Sequence, residues 1–288
     1  MLQVARLAPK LLGESADLIR AFLLSQLNPD GGFRDRAGTS DLYYTVFGLE
    51  GLIALRADVP AAAVARFLRS YSDGAGLDFV HLGCLARCWA GLPVEFRTDC
   101  PSAAILARIE SHRSRDGGYA AEPGETDGTI YGCFVALGAY QDLHSMLPNT
   151  AGLLNCLNRL RAEDGGYANQ QDVPQGLTPS TAAAVTLLRQ LSEPIPAGLA
   201  DWLLARCHSQ GGFFAAPVAP LPDLLSTATA LHALSGLYAN LDPIRESCLD
   251  FIDSLWTSAG GFHGNWADDD LDCEYTFYGL LALGHLSV

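Results

Sequence analysis

The chain has 288 residues, 49% of them hydrophobic, and carries 18 Lys and Arg against 32 Asp and Glu, for a formal charge of −14. Lys10 is its only lysine, so the clustered cations that neutralise nucleic-acid phosphates are absent, and a nucleic-acid partner is excluded. Its longest apolar runs are broken by Arg, His, Gly or Pro, which argues against a membrane span.

Taken in chain order, the first 25 residues read as amphipathic helix rather than export signal. They are expected to join the outer layer of the fold, and the protein is expected to be cytoplasmic. From Gln26 onward the sequence repeats. Gly-Gly pairs stand at Gly31, Gly117, Gly165, Gly211 and Gly260, and Asp73-Gly74-Ala75-Gly76-Leu77 is a degraded copy. The six copies are 43 to 49 residues apart, and Phe33, Tyr119, Tyr167, Phe213 and Phe262 follow five of them. A period of this size marks a repeat architecture. Without a Lys-Ser/Thr after any pair, the glycines are read as turns and not as phosphate cradles.

Each repeat carries two helical patterns. Before the turn, segments at 16–24, 105–112, 153–161, 199–207 and 247–256 have apolar residues at three- and four-residue steps, as expected of helices with one solvent face. After the turn, 43–55, 80–91, 130–140, 181–191, 227–237 and 275–286 are apolar on most faces and read as buried. Asp41, Asp127, Asp223 and Asp272, with Thr178 or Ser180 in the fourth repeat, precede these and are expected to cap them. The eight cysteines lack zinc-ribbon spacing and read as buried thiols, with Cys84 and Cys88 one turn apart. The whole is expected to be one all-α domain over 1–288: six buried helices in an inner barrel, six half-exposed ones around it, and the starts of the inner helices gathered at one mouth.

The unit Asp-Gly-Gly-Phe/Tyr, a Gly/Pro loop, Asp-x-x-Tyr/Ser-Thr and a small apolar helix is similar to the repeat of prenyltransferases and squalene cyclases. In length the chain is most like a protein prenyltransferase β subunit. The resemblance implies an (α/α)6 toroid with an apolar, aromatic-lined central cavity suited to an isoprenoid. It also implies a family zinc site, an Arg/Lys clamp for diphosphate and a helical α-subunit-like partner. The residues depart from that pattern. Asp223 matches the family acid, but Leu225 stands where a zinc Cys belongs and Tyr275 where a zinc His belongs. The loop at 214–221 has no basic residue, leaving Arg34, Arg36, Arg113 and Arg115 as substitutes. No cofactor is assigned. The candidates are zinc on a rearranged set of Asp223, Asp272, Cys273 and His263, or magnesium on the acidic run at 268–272.

The candidate catalytic residues are Asp223, Asp272 and Tyr275. The candidate substrate-binding residues are Tyr44, Asp127, Tyr131, Trp266 and Tyr278, the aromatic members being suited to apolar contact and cation–π attraction. Carboxylates clustered at the mouth raise one another's pKa, so one of them is expected to serve as a general acid. The leading expectation is an isoprenoid-handling protein of prenyltransferase β-subunit type, taking an isoprenoid diphosphate or another apolar small molecule. The alternatives are a toroid that binds lipid or a partner without catalysis, and a divergent terpene cyclase. A carbohydrate-active α/α barrel ranks below these, because Trp266 beside Asp268–Asp270 is the only sugar-site grouping.

Overall fold

A computed structural model describes residues 1–288. Six inner helices, α4 (Leu42–Ala54), α6 (Phe79–Gly91), α8 (Ile130–Asp142), α10 (Thr178–Gln190), α12 (Leu224–Gly236) and α14 (Cys273–Leu286), pack each on the next. α14 packs back on α4, so the ring closes. Around it stand α3 (Ser15–Ser25), α5 (Ala61–Arg69), α7 (Ser102–Ser111), α9 (Thr150–Arg159), α11 (Leu199–Leu204) and α13 (Asp242–Leu255). The (α/α)6 toroid is therefore present, and α5 is the outer helix that the sequence pattern did not mark. No helix is long and apolar enough to cross a membrane.

The repeat has a mechanical explanation. Each turn holds its first glycine at positive φ, +101° at Gly31 and +91° at Gly211. At most of these turns there is also no room for a side chain: a Cβ on Gly211 would lie 1.8 Å from the Ser247 carbonyl oxygen, on α13. The aromatic residue that follows is buried, and in four repeats its N–H donates to a threonine in the first turn of the inner helix. Phe33 reaches Thr45 at 2.9 Å, Tyr167 reaches Thr181 at 2.9 Å and Phe213 reaches Thr227 at 2.9 Å. The Thr227 hydroxyl in turn donates to the Asp223 carbonyl at 2.6 Å. The recurrent Asp-x-x-x-Thr thus ties turn, loop and inner helix together. In the first repeat the loop adds a two-stranded hairpin, β1 (Phe33–Arg34) with β2 (Ser40–Asp41).

Two expectations need correction. Residues 1–25 are not one outer helix. α1 (Leu2–Ala5) and α2 (Pro9–Leu12) precede α3, with Pro9 opening α2 and Gly13 ending it at φ +53°. α1 leaves the outer layer, packs on α14 and α4, and brings Met1 to the central cavity. Its small buried Ala5, and the close approach of Val4 to Gly284, make that packing possible. The caps also differ. Asp41, Asp223 and Asp272 accept from the N–H of Tyr44, Ser226 and Tyr275, as expected. Asp78 does the same for α6, whereas Thr129, not Asp127, caps α8. Thr178 and Ser180 lie inside α10, whose N-cap is Leu177. There the Thr178 hydroxyl donates to Phe214 instead, at 2.6 Å.

Candidate functional site

The helical repeat sets which residues face the barrel axis. At 3.6 residues per turn, the second, fifth, sixth and ninth residues of each inner helix share a face. The second residues are Tyr43, Val80, Tyr131, Pro179, Leu225 and Glu274. One turn deeper come Phe47, Cys84, Val135, Ala183, Thr229 and Tyr278, with Phe134 and Phe277 beside them. The ninth residues include Glu50, Arg87 and Thr186. These side chains, Glu274 excepted, line a cavity of about 470 Å³, a size that suits a small organic ligand. Its two upper levels are lined mainly by apolar and aromatic side chains. Phe47 packs against Tyr43 at 4.9 Å, Tyr278 at 5.5 Å and Phe277 at 5.8 Å between ring centroids.

Glu274 is the acid on this otherwise apolar upper level. The Tyr43 hydroxyl donates to its Oε1 at 2.6 Å. Burial lifts the Glu274 carboxyl to about 7, against the pull of the Tyr43 hydrogen bond, so it is half protonated near neutral pH. The sequence reading passed over it in favour of its neighbours, Asp272 and Tyr275. The available signal was positional, an acid where the equivalent residues are aromatic or aliphatic.

The floor is charged. Arg87 Nε donates to Glu50, and its NH1 stands 4.0 Å from Asp142 Oδ2. Glu50 holds Arg87 firmly charged, while burial pushes the Asp142 carboxyl upward. Next to this floor, His232 and His285 meet at 3.0 Å. Burial takes them down to about 3 and about 4, so the pair is neutral.

The mouth is ordered differently. Arg36, from the first repeat, reaches across to the last. Its Nε donates to Asp272 Oδ2 at 2.8 Å and its NH2 to Asp268 Oδ2 at 2.8 Å, with Asp270 at 3.4 Å. The guanidinium also lies 5.5 Å from the Tyr275 ring centroid. Asp268 is held below the usual carboxylate range: burial opposes its charge, but Arg36 and backbone N–H groups outweigh it. Asp272 is raised by burial, against the Tyr275 N–H and Arg36. On the next helix, His81 bridges Asp78 at 2.8 Å and Asp41 at 3.1 Å. Burial opposes its charge, yet the two carboxylates hold its pKa above the ordinary histidine value.

The candidates from sequence therefore separate. Tyr131 and Tyr278 line the cavity. Tyr44 packs edge-on against Tyr43 outside that lining. Asp127 is bound at the rim by Gln171 at 2.6 Å. Trp266 faces the outer layer, where its Nε1 donates to Ser254 at 2.9 Å and its ring meets Phe251. Asp223 and Asp272 serve as caps, and Tyr275 lies under Arg36. Cys273 is fully buried, with its thiol pushed up by burial. No three His, Cys, Asp or Glu side chains are grouped as ligands for a metal ion. The donor set of a zinc or magnesium site is thus not assembled, and Leu225 lines the cavity where the family carries a cysteine. Of the substitute arginines, Arg36 is committed to carboxylates, Arg34 to Gln26, and Arg113 to Glu110 and the Tyr119 ring, while Arg115 is exposed and makes no side-chain hydrogen bond or ion pair.

Comparison with known proteins agrees with this architecture. A variant of the type II terpene cyclase MstE from Scytonema, in complex with geranylgeranyl dihydroxybenzoate, superposes with a TM-score of 0.64 at 14% identity, covering 97% of each chain. Protein geranylgeranyltransferase-I from Candida albicans, complexed with GGPP, gives 0.53 at 15%, covering 99% of this chain and 81% of that one. The GH76A alpha-1,6-mannanase from Salegentibacter gives 0.57 at 14%, covering 95% and 98%. At these identities the likeness is one of fold. No curated protein matches the chain in sequence. The profile of the prenyltransferase alpha-alpha toroid domain matches residues 9–81, 91–177 and 180–287. The chain belongs to the prenyltransferase alpha-alpha toroid family.

Proposed function

We propose that the protein is an isoprenoid-converting enzyme of the terpene-cyclase kind, and that it starts its reaction by proton transfer from Glu274. The observation that carries this reading is a carboxyl raised to about 7 that is hydrogen-bonded to Tyr43, a residue of the aromatic cavity wall. A general acid works best when its pKa lies near the working pH. The proton would pass from Glu274 to an alkene carbon, whose π pair forms the new C–H bond and leaves a cation on the neighbouring carbon. As the proton departs, the Tyr43 O–H bond to the carboxylate strengthens and stabilises the charge left behind. Phe47, Phe134, Phe277 and Tyr278 present aromatic rings that attract the cation and exclude water. Loss of a proton from the product cation then restores the neutral state.

The terpene cyclase and geranylgeranyltransferase that share the fold carry isoprenoid ligands, which supports the substrate class. The prenyl-transfer reading is weaker here, because the zinc donor set is not assembled and the loop at 214–221 holds no basic residue. The reading requires no second subunit, since acid, wall and floor come from one chain.

The test is incubation with geranylgeraniol, its diphosphate and geranylgeranyl dihydroxybenzoate in D₂O, followed by mass spectrometry. A product isomeric with its substrate and carrying one non-exchangeable deuterium is expected from the native protein. Glu274→Gln should bind the same compounds and give no such product. Binding of all three without conversion by the native protein would establish a non-catalytic isoprenoid-binding toroid instead. Release of diphosphate with transfer to an added thiol would establish prenyl transfer.

A further inference from the structure

The floor of the cavity offers hydrogen bonds that an apolar chain end cannot use. Arg87 commits Nε to Glu50, but its two terminal nitrogens make no hydrogen bond, and its side chain is 32% accessible, on the side that lines the cavity. Asp142 receives no hydrogen bond and stands 4.0 Å from Arg87. The hydroxyl of Thr186, level with Arg87, donates to the Ala182 carbonyl at 3.0 Å, which leaves its oxygen free only to accept. Donors and acceptors therefore converge within one end of an otherwise apolar space. A hydrocarbon end pressed against them would strip water from a guanidinium and a carboxylate without replacing it. An anion would meet Glu50 and Asp142, and a cation would meet Arg87. A neutral hydroxyl satisfies both sides, accepting from Arg87 and donating to Asp142.

We infer that the barrel floor is a second recognition subsite, at which Arg87 and Asp142 bind a hydroxyl at the inner end of an isoprenoid. This rests on the isoprenoid reading of the cavity and adds to it the class of substrate, a terpenoid alcohol that enters hydroxyl first. Glu274 and Arg87 are seven residues apart in helical level, which places acid and hydroxyl roughly 10 Å apart along the axis. The alkene presented to Glu274 is then distant from the hydroxyl, and the floor sets which double bond is protonated.

The experiment is equilibrium binding of farnesol and of farnesene, the hydrocarbon without the hydroxyl, to the native protein and to floor variants. The native protein should bind farnesol about tenfold more tightly or better, the effect of one hydrogen-bonded group at a buried charge. Asp142→Leu, and the paired change Arg87→Met with Glu50→Gln that leaves no lone charge, should reduce that preference to about twofold while retaining farnesene. Arg87→Lys, which keeps the charge but alters the donors, provides a further comparison if the paired variant does not fold. Glu274→Gln should keep the preference. Equal affinities in the native protein would overturn the inference and leave the cavity as an isoprenoid site. A preference lost in Glu274→Gln and kept in the floor variants would overturn it too, by placing the hydroxyl at the rim. Failure of both compounds to bind would defeat the isoprenoid reading itself, and the inference with it.

Discussion

Asp272 and Glu274 are two residues apart at the start of α14, yet one is bound into the mouth by Arg36 and the other by Tyr43 of the cavity wall. Asp272 is 3% exposed and fully engaged: it caps α14 through the Tyr275 N–H and receives Arg36. Glu274, turned toward the barrel axis, has one hydrogen-bond partner, Tyr43. Both feel burial. At Asp272 a backbone donor and a hydrogen-bonded cation oppose it, whereas at Glu274 the Tyr43 hydroxyl is the main opposition, with Arg36 acting only from a distance and Asp272 adding to the rise, and its pKa reaches about 7. The densest run of acid in the chain is thus gathered around Arg36, and on the proposed reading the acid beside it, Glu274, is the one that exchanges a proton. Charge density in a sequence marks where carboxylates gather; a buried carboxyl without a hydrogen-bonded cation is one whose pKa can rise toward neutrality.

Variants can break that contrast. The largest effect is expected at Glu274→Gln, which should lower turnover by about a hundredfold or more while binding changes little, whereas Asp272→Asn should act mainly on stability. A change of comparable size at both positions would remove the distinction. Tyr43→Phe sharpens it. Loss of the hydroxyl removes the group that favours ionised Glu274, so the carboxyl pKa rises further and the fall in rate with pH moves upward from about 7. A pH–rate profile checks the direction. The same variant should be slower at its optimum by about tenfold, because the departing proton leaves a less stabilised carboxylate.

Stability should move the opposite way from activity. The folded-state pKa of Glu274 is raised above its unfolded value, so the folded protein holds that proton more tightly. Its contribution is fully present below about pH 4.5 and is lost as pH rises to about 7. Glu274→Gln should then be more stable than the native protein at pH 8, by about 2–3 kcal/mol, with no gain at pH 4. Denaturant unfolding at both pH values measures this. Arg36→Ala should cost about 1–2 kcal/mol by leaving Asp272 buried beside Asp268 without a cation. The smallest effect is expected at Thr227→Val. It should cost about 1 kcal/mol by removing the acceptor of the Phe213 N–H, and should leave the cavity unchanged.

The toroid was legible because its devices repeat. The Gly-Gly turn, the buried aromatic and the Asp-x-x-x-Thr cap each recur, and agreement between copies fixed six inner helices to within a few residues. Where a copy departed from the pattern, legibility failed. Asp127 stands two residues before the true cap, Thr129, and α5 precedes the degraded second turn. The N-terminal segment has no repeat to compare with, and α1 is drawn to the barrel base by packing that its own amphipathic pattern does not specify. The cavity charges were hidden for another reason. Glu50, Arg87 and Glu274 sit in helices that read as buried all round, and only the direction of each side chain tells a lumen-facing residue from one packed against a neighbour. Comparing the second and ninth residues across the six inner helices would have exposed all three, since most of their counterparts are apolar, aromatic or small.

The most direct measurement is an infrared titration of the native protein against Glu274→Gln from pH 4 to pH 9, following the carboxylic acid C=O band. One buried carboxyl that loses its proton near pH 7, and is missing from the variant, is the predicted result. A difference spectrum in which the carboxyl lost in the variant titrates in the ordinary glutamate range, about 4.3, would contradict Glu274 as the proton donor.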